Sequence, residues 1–228
     1  MPFNPYSFTN TKIKMNDKNQ GPLDTIGEYR LVPVVVLDSV DSAAPLAEAL
    51  INGGLPIAEV TFRTAAAEES LRRISQIDGL LAGAGTVLTL EQAQQAIDAG
   101  AKFIVTPGTN PPVIEYCLKH NVPITPGIAT PTDIDLATSF GLNALKFFPA
   151  EAIGGVKTLK AISGPYGSIR FIPTGGISAS NLGDYLALPN VLACGGSWMV
   201  SRSLISEGEF DQIKRLVENA VALAKSIE

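Results

Sequence analysis

Histidine is almost missing from this 228-residue chain, occurring once, at His120, and cysteine occurs only at Cys117 and Cys194. One imidazole and two separated thiols cannot readily build a His-rich zinc site, so no metal is expected, no other cofactor is implied, and carbonyl chemistry would fall to a side chain. The cysteines lie in a helix-like and a strand-like segment, with no pairing pattern and no secretory leader ahead of them, and read as free thiols in a reducing cytoplasm. No apolar run approaches the roughly 20 residues that cross a bilayer. Dense basic clusters are also lacking: 17 Lys and Arg against 22 Asp and Glu leave a net charge of -5, without the positive footprint of a nucleic-acid or anionic-membrane protein. A small soluble ligand is the expected partner, and neither nucleic acid nor membrane is.

What is present is a large apolar content, 46% of residues, enough to bury a substantial core. Residues 1–20 stand apart: polar, with neither the apolar stretch of a signal peptide nor an Arg-rich transit pattern, they read as a disordered extension or an expression tail. A short helix is expected over Asp24–Tyr29, and one folded domain over 24–228. Within it, eight runs rich in apolar and β-branched residues recur every 20 to 26 residues: Leu31–Leu37, Ile57–Phe62, Leu81–Val87, Lys102–Pro107, Val122–Ile128, Ala144–Pro149, Ile169–Gly176 and Val191–Trp198. Helical signals fill the gaps. Thr89 and Gln92 form a capping-box pair, Leu90, Ala93 and Ile97 make an apolar stripe, and Gly100 stops it. Ser42–Asn52 has Pro45 in its first turn and Leu46 and Leu50 four apart, Ser178 is placed to cap a helix running toward Tyr185, and the last helix is expected over Ser206–Ile227. Strands alternating with single helices require a parallel sheet, and eight such units predict an α/β fold closed as a single (β/α)8 TIM barrel. An open doubly wound sheet is the competing topology, but no G-x-G-x-x-G follows the first strand, which argues against a dinucleotide site.

In such a barrel, function gathers at the carboxyl ends of the strands. Lys146 stands in the apolar run Leu145–Pro149, where an ammonium is costly to bury; desolvation disfavours the charged form, and a neutral amine is a nucleophile toward a carbonyl. The ordinary alternative is a strand-end lysine whose stem packs on apolar neighbours while its head reaches water. Alternation sends Ala144, Lys146 and Phe148 to one side of the sixth strand, and turns Glu59, Thr61 and Arg63 of the second strand away from the helix-facing Ala58, Val60 and Phe62. An acid/base, a cation and an amine are thereby aimed at one cavity. Thr86 ends the third strand, and Thr-Pro-Gly ends the fourth and fifth, as Thr106–Gly108 and Thr125–Gly127, most simply as rigid turns. The last two strands end in Thr174-Gly175-Gly176 and Gly195-Gly196-Ser197, where backbone N–H groups can approach a phosphate. His120, near the end of the fourth helix, is remote from that rim.

These motifs resemble one family. GLPIAEVTFR over Gly54–Arg63 and GLNALKFFPAEAIG over Gly141–Gly154 are similar to the active-site and Schiff-base motifs of the 2-keto-3-deoxy-6-phosphogluconate (KDPG) / 4-hydroxy-2-oxoglutarate aldolases. GAGTV over Gly83–Val87, PTGGI over Pro173–Ile177 and GGSW over Gly195–Trp198 resemble it too, so that the likeness runs from Ile26 to the end of the chain. It implies a class I aldolase, usually a homotrimer, that cleaves a phosphorylated keto acid, KDPG, to pyruvate and D-glyceraldehyde 3-phosphate. By motif, Lys146 would be the Schiff-base lysine and Glu59 the general acid/base. Arg63 and Thr86 would hold the pyruvyl carboxylate, Pro107 and Phe148 would shape the pocket wall, and Thr174, Gly175, Gly176, Gly196 and Ser197 would serve the phosphate end. The 6-phosphogalactonate epimer and unphosphorylated 4-hydroxy-2-oxoglutarate, which would give pyruvate and glyoxylate, stay open as substrates, since the lysine and glutamate do not sense the difference. A non-catalytic phosphosugar-binding barrel is the alternative to an enzyme, and it leaves the convergence of Lys146, Glu59 and Arg63 unexplained.

Overall fold

Strands buried on both faces and helices with one apolar face alternate along the computed structural model, which describes residues 21–227. The expected extension over residues 1–20 lies outside the described residues. Helix α1 (Gly21–Tyr29) leads into β1 (Leu31–Val35), α2 (Ala43–Asn52), β2 (Ile57–Thr61), α3 (Ala67–Ser75) and β3 (Leu81–Gly85). There follow α4 (Leu90–Asp98), β4 (Ile104–Val105), α5 (Pro111–Lys119), β5 (Ile124–Thr125), β6 (Gly127–Ile128) and α6 (Pro131–Ser139). The chain finishes with β7 (Ala144–Phe147), α7 (Gly155–Ser163), β8 (Arg170–Pro173), α8 (Leu182–Leu186), β9 (Cys194–Gly196), α9 (Arg202–Glu207) and α10 (Phe210–Lys225).

Local chemistry starts the helices where the residues allow it. Thr89 Oγ1 accepts from Gln92 N at 3.1 Å while the Gln92 side chain takes the Leu88 N–H at 2.7 Å, one residue further back than a reciprocal box requires. Pro111 opens α5, where its missing N–H costs nothing, and Thr130 with Asp133 closes a capping box on α6. Every residue of β2 is buried, as expected for a parallel strand covered on both faces.

All strand pairs are parallel and fall into two ladders, β5-β4-β3-β2-β1-β9 and β6-β7-β8. The result is a curled parallel sheet with helices packed on it. Isolated bridges, Phe171 to Val191 and Thr174 to Gly195, join the β8 and β9 segments.

Three expectations are corrected. The fifth strand, Val122–Ile128, is two short pieces parted by Pro126, which has no N–H for a ladder. The last helix is two, α9 and α10, because Gly208 adopts φ 75° and terminates the first. Ser178 does not cap α8: its Oγ pairs with Ser180 Oγ at 2.9 Å, Asn181 Oδ1 takes the Ser178 N–H at 2.8 Å, and the helix begins only at Leu182. Among the described residues, no helix is long and apolar enough to cross a membrane.

Candidate active site

On β2, Ala58 and Val60 are buried on one side and Glu59 and Thr61 on the other. Glu59 lies in register with Val34 of β1 and Gly83 of β3; Lys146, on β7, lies beside Gly127 of β6 and Ile172 of β8. The two residues come from different ladders, yet Lys146 Nζ is 3.5 Å from Glu59 Oε1, with the residues only 5% and 2% exposed. The same ammonium stands 5.1 Å from the centre of the Phe148 ring, within cation–π range.

Burial pushes the Glu59 carboxyl above its usual range, and the neighbouring Lys146 pulls it part of the way back. A buried amine beside a carboxyl group is the pairing that nucleophilic attack on a carbonyl needs.

The pair is seated by a residue that sequence reasoning did not single out. A Cβ at Gly85, on β3, would collide with the Glu59 carboxylate, so a side chain here is incompatible with the glutamate's position. The available signal was a glycine inside a strand, which often marks a close approach. Thr61 Oγ1 donates to Val35 O at 2.8 Å and is occupied in joining β2 to β1.

Around this centre the other candidates stand on strand ends. Arg63 is exposed two residues beyond β2, and its backbone N–H donates to Thr61 O at 2.8 Å. Thr86, just past β3, adopts φ 56°, a left-handed conformation costing a β-branched residue about 1–3 kcal/mol. Phe148 and Pro149 lie against Gly175, whose Cβ would sit 3.4 Å from Phe148 Cδ2 and 3.3 Å from Pro149 Cα. Pro107 belongs to a turn closed by Thr106 Oγ1 donating to Gly108 O at 2.7 Å, and Gly127 leaves room for the Pro107 carbonyl. Thr174, bridged to Gly195, sets the ends of β8 and β9 side by side. Gly175 and Gly176 turn through φ 98° and 81°, Gly196 is buried, and Ser197 is exposed at the end of β9.

His120 caps the outer end of α5, its ring on Tyr116 and its Nδ1 2.8 Å from Tyr116 O. A separate cleft of about 640 Å³ opens at the other end of the strands, between Gly21, Leu81, Lys102 and Pro123, and contains none of the candidate residues.

A family model described as KDPG and KHG aldolase matches residues 24–216. The chain is 51% identical over 201 residues to the 2-dehydro-3-deoxy-phosphogluconate aldolase of Treponema pallidum (strain Nichols), spanning 88% of this chain and 96% of that one. Among solved structures it resembles the 2-keto-3-deoxy-6-phosphogluconate aldolase of Zymomonas mobilis ZM4 with 3-phosphoglycerate, at a TM-score of 0.85 and 35% identity, covering 90% of this chain and 97% of that one. It also resembles the KDPG aldolase of Legionella pneumophila with pyruvate captured at low pH as a covalent carbinolamine intermediate, at a TM-score of 0.84 and 38% identity, covering 87% and 97%.

Proposed function

The chain belongs to the KDPG and KHG aldolase family, and from that membership and the buried Lys146–Glu59 contact we propose how it works. It is a carbon–carbon lyase that cleaves KDPG to pyruvate and D-glyceraldehyde 3-phosphate. Lys146, relieved of its proton by Glu59, attacks the C2 ketone; Glu59 then gives that proton to the carbinolamine hydroxyl, which leaves as water to give a cationic imine and an ionised Glu59. That imine is the electron sink for breaking the C3–C4 bond. Glu59, through a water, takes the C4 hydroxyl proton as the aldehyde leaves. The pyruvyl enamine is then protonated at C3, and water hydrolyses the imine to pyruvate and free lysine.

Arg63 and Thr86, on neighbouring strand ends, would hold the pyruvyl carboxylate, with Pro107 and Phe148 as the wall. Thr174, Gly175, Gly176, Gly196 and Ser197 would take the phosphate, supported by the adjacency of the β8 and β9 ends. The same lysine and glutamate suffice for 4-hydroxy-2-oxoglutarate, the second substrate in the family's description. We read the curled sheet as a complete (β/α)8 barrel, since β9 pairs with β1, bridges join it to the β8 segment, and only Pro126 separates β5 from β6. A homotrimer is the assembly we propose, and the two buried free thiols, Cys117 and Cys194, suit a cytoplasmic setting.

The contact that carries this reading is the 3.5 Å approach of Lys146 to Glu59, both buried. Borohydride reduction in the presence of pyruvate should inactivate the enzyme and leave one adduct, on Lys146. Peptide mapping that placed the adduct on Lys157 or Lys160, both exposed on α7, would refute the assignment.

A further inference from the structure

After β7 the chain runs along the end of β8: Ala150 N donates to Thr174 O at 2.8 Å and Glu151 N to Gly175 O at 3.1 Å. The Glu151 side chain then lies over Gly176, where an added Cβ would be 2.6 Å from Glu151 Cγ. An exposed carboxylate is thus carried by a residue touching the turn assigned above to a phosphate. Free to rotate, it would repel that phosphate.

It is not free. The loop turns through Gly154 (φ 106°) and Gly155 (φ 61°) into α7, which begins with no side-chain cap. Glu151 Oε1 is held over this start, 2.8 Å from the Cβ position of Gly155, and Tyr185 Oη is 3.2 Å from the same point. Tyr185, fully buried on α8, donates its hydroxyl to Glu151 Oε1. Burial and the adjacent carboxylate both raise the Tyr185 pKa, so the phenol keeps its proton and remains a donor. The positive end of α7 adds to the preference for a carboxylate in this place.

We propose that Tyr185 is a positioning residue for the phosphate end of the site: it holds the Glu151 carboxylate against the start of α7 and so keeps the Gly175–Gly176 turn open to an anion. This rests on reading that turn as the phosphate contact. Neither residue touches the reacting carbons, so the effect belongs to substrate binding and to charge.

The test compares KDPG with its phosphate-free analogue, 2-keto-3-deoxygluconate, for the wild type, Tyr185→Phe, Glu151→Gln and the double variant. Tyr185→Phe should raise KM for KDPG by about fivefold, the scale of one water-screened like-charge contact near 4 Å. It should leave KM for the analogue and kcat within about twofold, and the KM increase should shrink as salt is added. Adding Glu151→Gln should restore the KDPG value. Should Tyr185→Phe melt early, Glu151→Asp, charged but too short to reach the phenol, should give the same KDPG-specific rise. A wild-type KM in these variants, equal losses on both substrates, or a rise that Glu151→Gln fails to reverse would overturn the role of Tyr185. Equal kcat/KM of the wild type for KDPG and its analogue would instead refute the phosphate turn itself.

Discussion

Glu59 can stand beside Lys146 because the strand next to it offers hydrogen where any other residue would place a Cβ carbon, at Gly85. Gly85→Ala should therefore push the carboxyl out of line, and a misplacement near 1 Å costs on the order of 10²-fold in rate. The loss should fall on kcat, with pyruvate trapping on Lys146 weakened in parallel; an alanine variant with full kcat would mean that Glu59 does not relay the proton. The same burial sets the pH profile. Glu59 must be ionised to take the C4 hydroxyl proton, and its pKa lies above the usual carboxylate range, so kcat should fall with acid through a point higher than an ordinary glutamate's 4.5. Lys146 was legible from the apolar run around it, strand alternation aimed it and Glu59 at one side, and the family motifs suggested their roles. Gly85 and Tyr185 were not legible in these roles: what each touches is set by pairing between strands or by a loop and a helix far apart in the chain.

At the scale of elements, the spacing of apolar runs revealed the alternation of strands and helices, and capping chemistry located α4. Register and breaks were harder to read. Val122–Ile128 is apolar enough for one strand, and only the ladder shows what Pro126 does to it; Gly208 ends α9 although the apolar period continues beyond it. The strand ends nevertheless support a prediction. With the Thr174–Gly195 bridge holding the β8 and β9 ends together, Gly176 and Ser197 sit on one rim. Gly176→Ala brings a Cβ against Glu151 at φ 81°, and Ser197→Ala removes a hydroxyl. Each should lower kcat/KM for KDPG by roughly tenfold or more, the scale of one or two charge-assisted hydrogen bonds. Cleavage of 4-hydroxy-2-oxoglutarate should change far less, because that substrate carries no phosphate for the rim to hold. Equal losses on both substrates would mean that these residues only hold the backbone.

The whole molecule leaves Leu88 and Leu90 half exposed, at 50% and 47%, and among the described residues they are the large hydrophobic side chains so exposed. They flank Thr89, Leu90 as the first residue of α4 and Leu88 on the preceding loop, which is held by Asn110 Nδ2 donating to Leu88 O at 3.0 Å and by the Gln92 side chain on Leu88 N. A fixed loop pays little ordering entropy on association, so it suits contact with a second copy better than a loose one would. Two leucines are a small patch, and in a three-fold ring they must meet a different surface of the neighbour, a head-to-tail contact that closes after three copies. Sedimentation equilibrium should accordingly return three times the 24.0 kDa of one chain. Leu88→Glu with Leu90→Glu should shift that mass downward at micromolar concentration by placing charges in an apolar contact. Pyruvate trapping on Lys146 should survive in the dissociated chain, because Lys146, Glu59 and Gly85 all come from one protomer. A wild-type mass of 24.0 kDa would overturn the trimer, and a trimer indifferent to both glutamates would move its interface away from this loop.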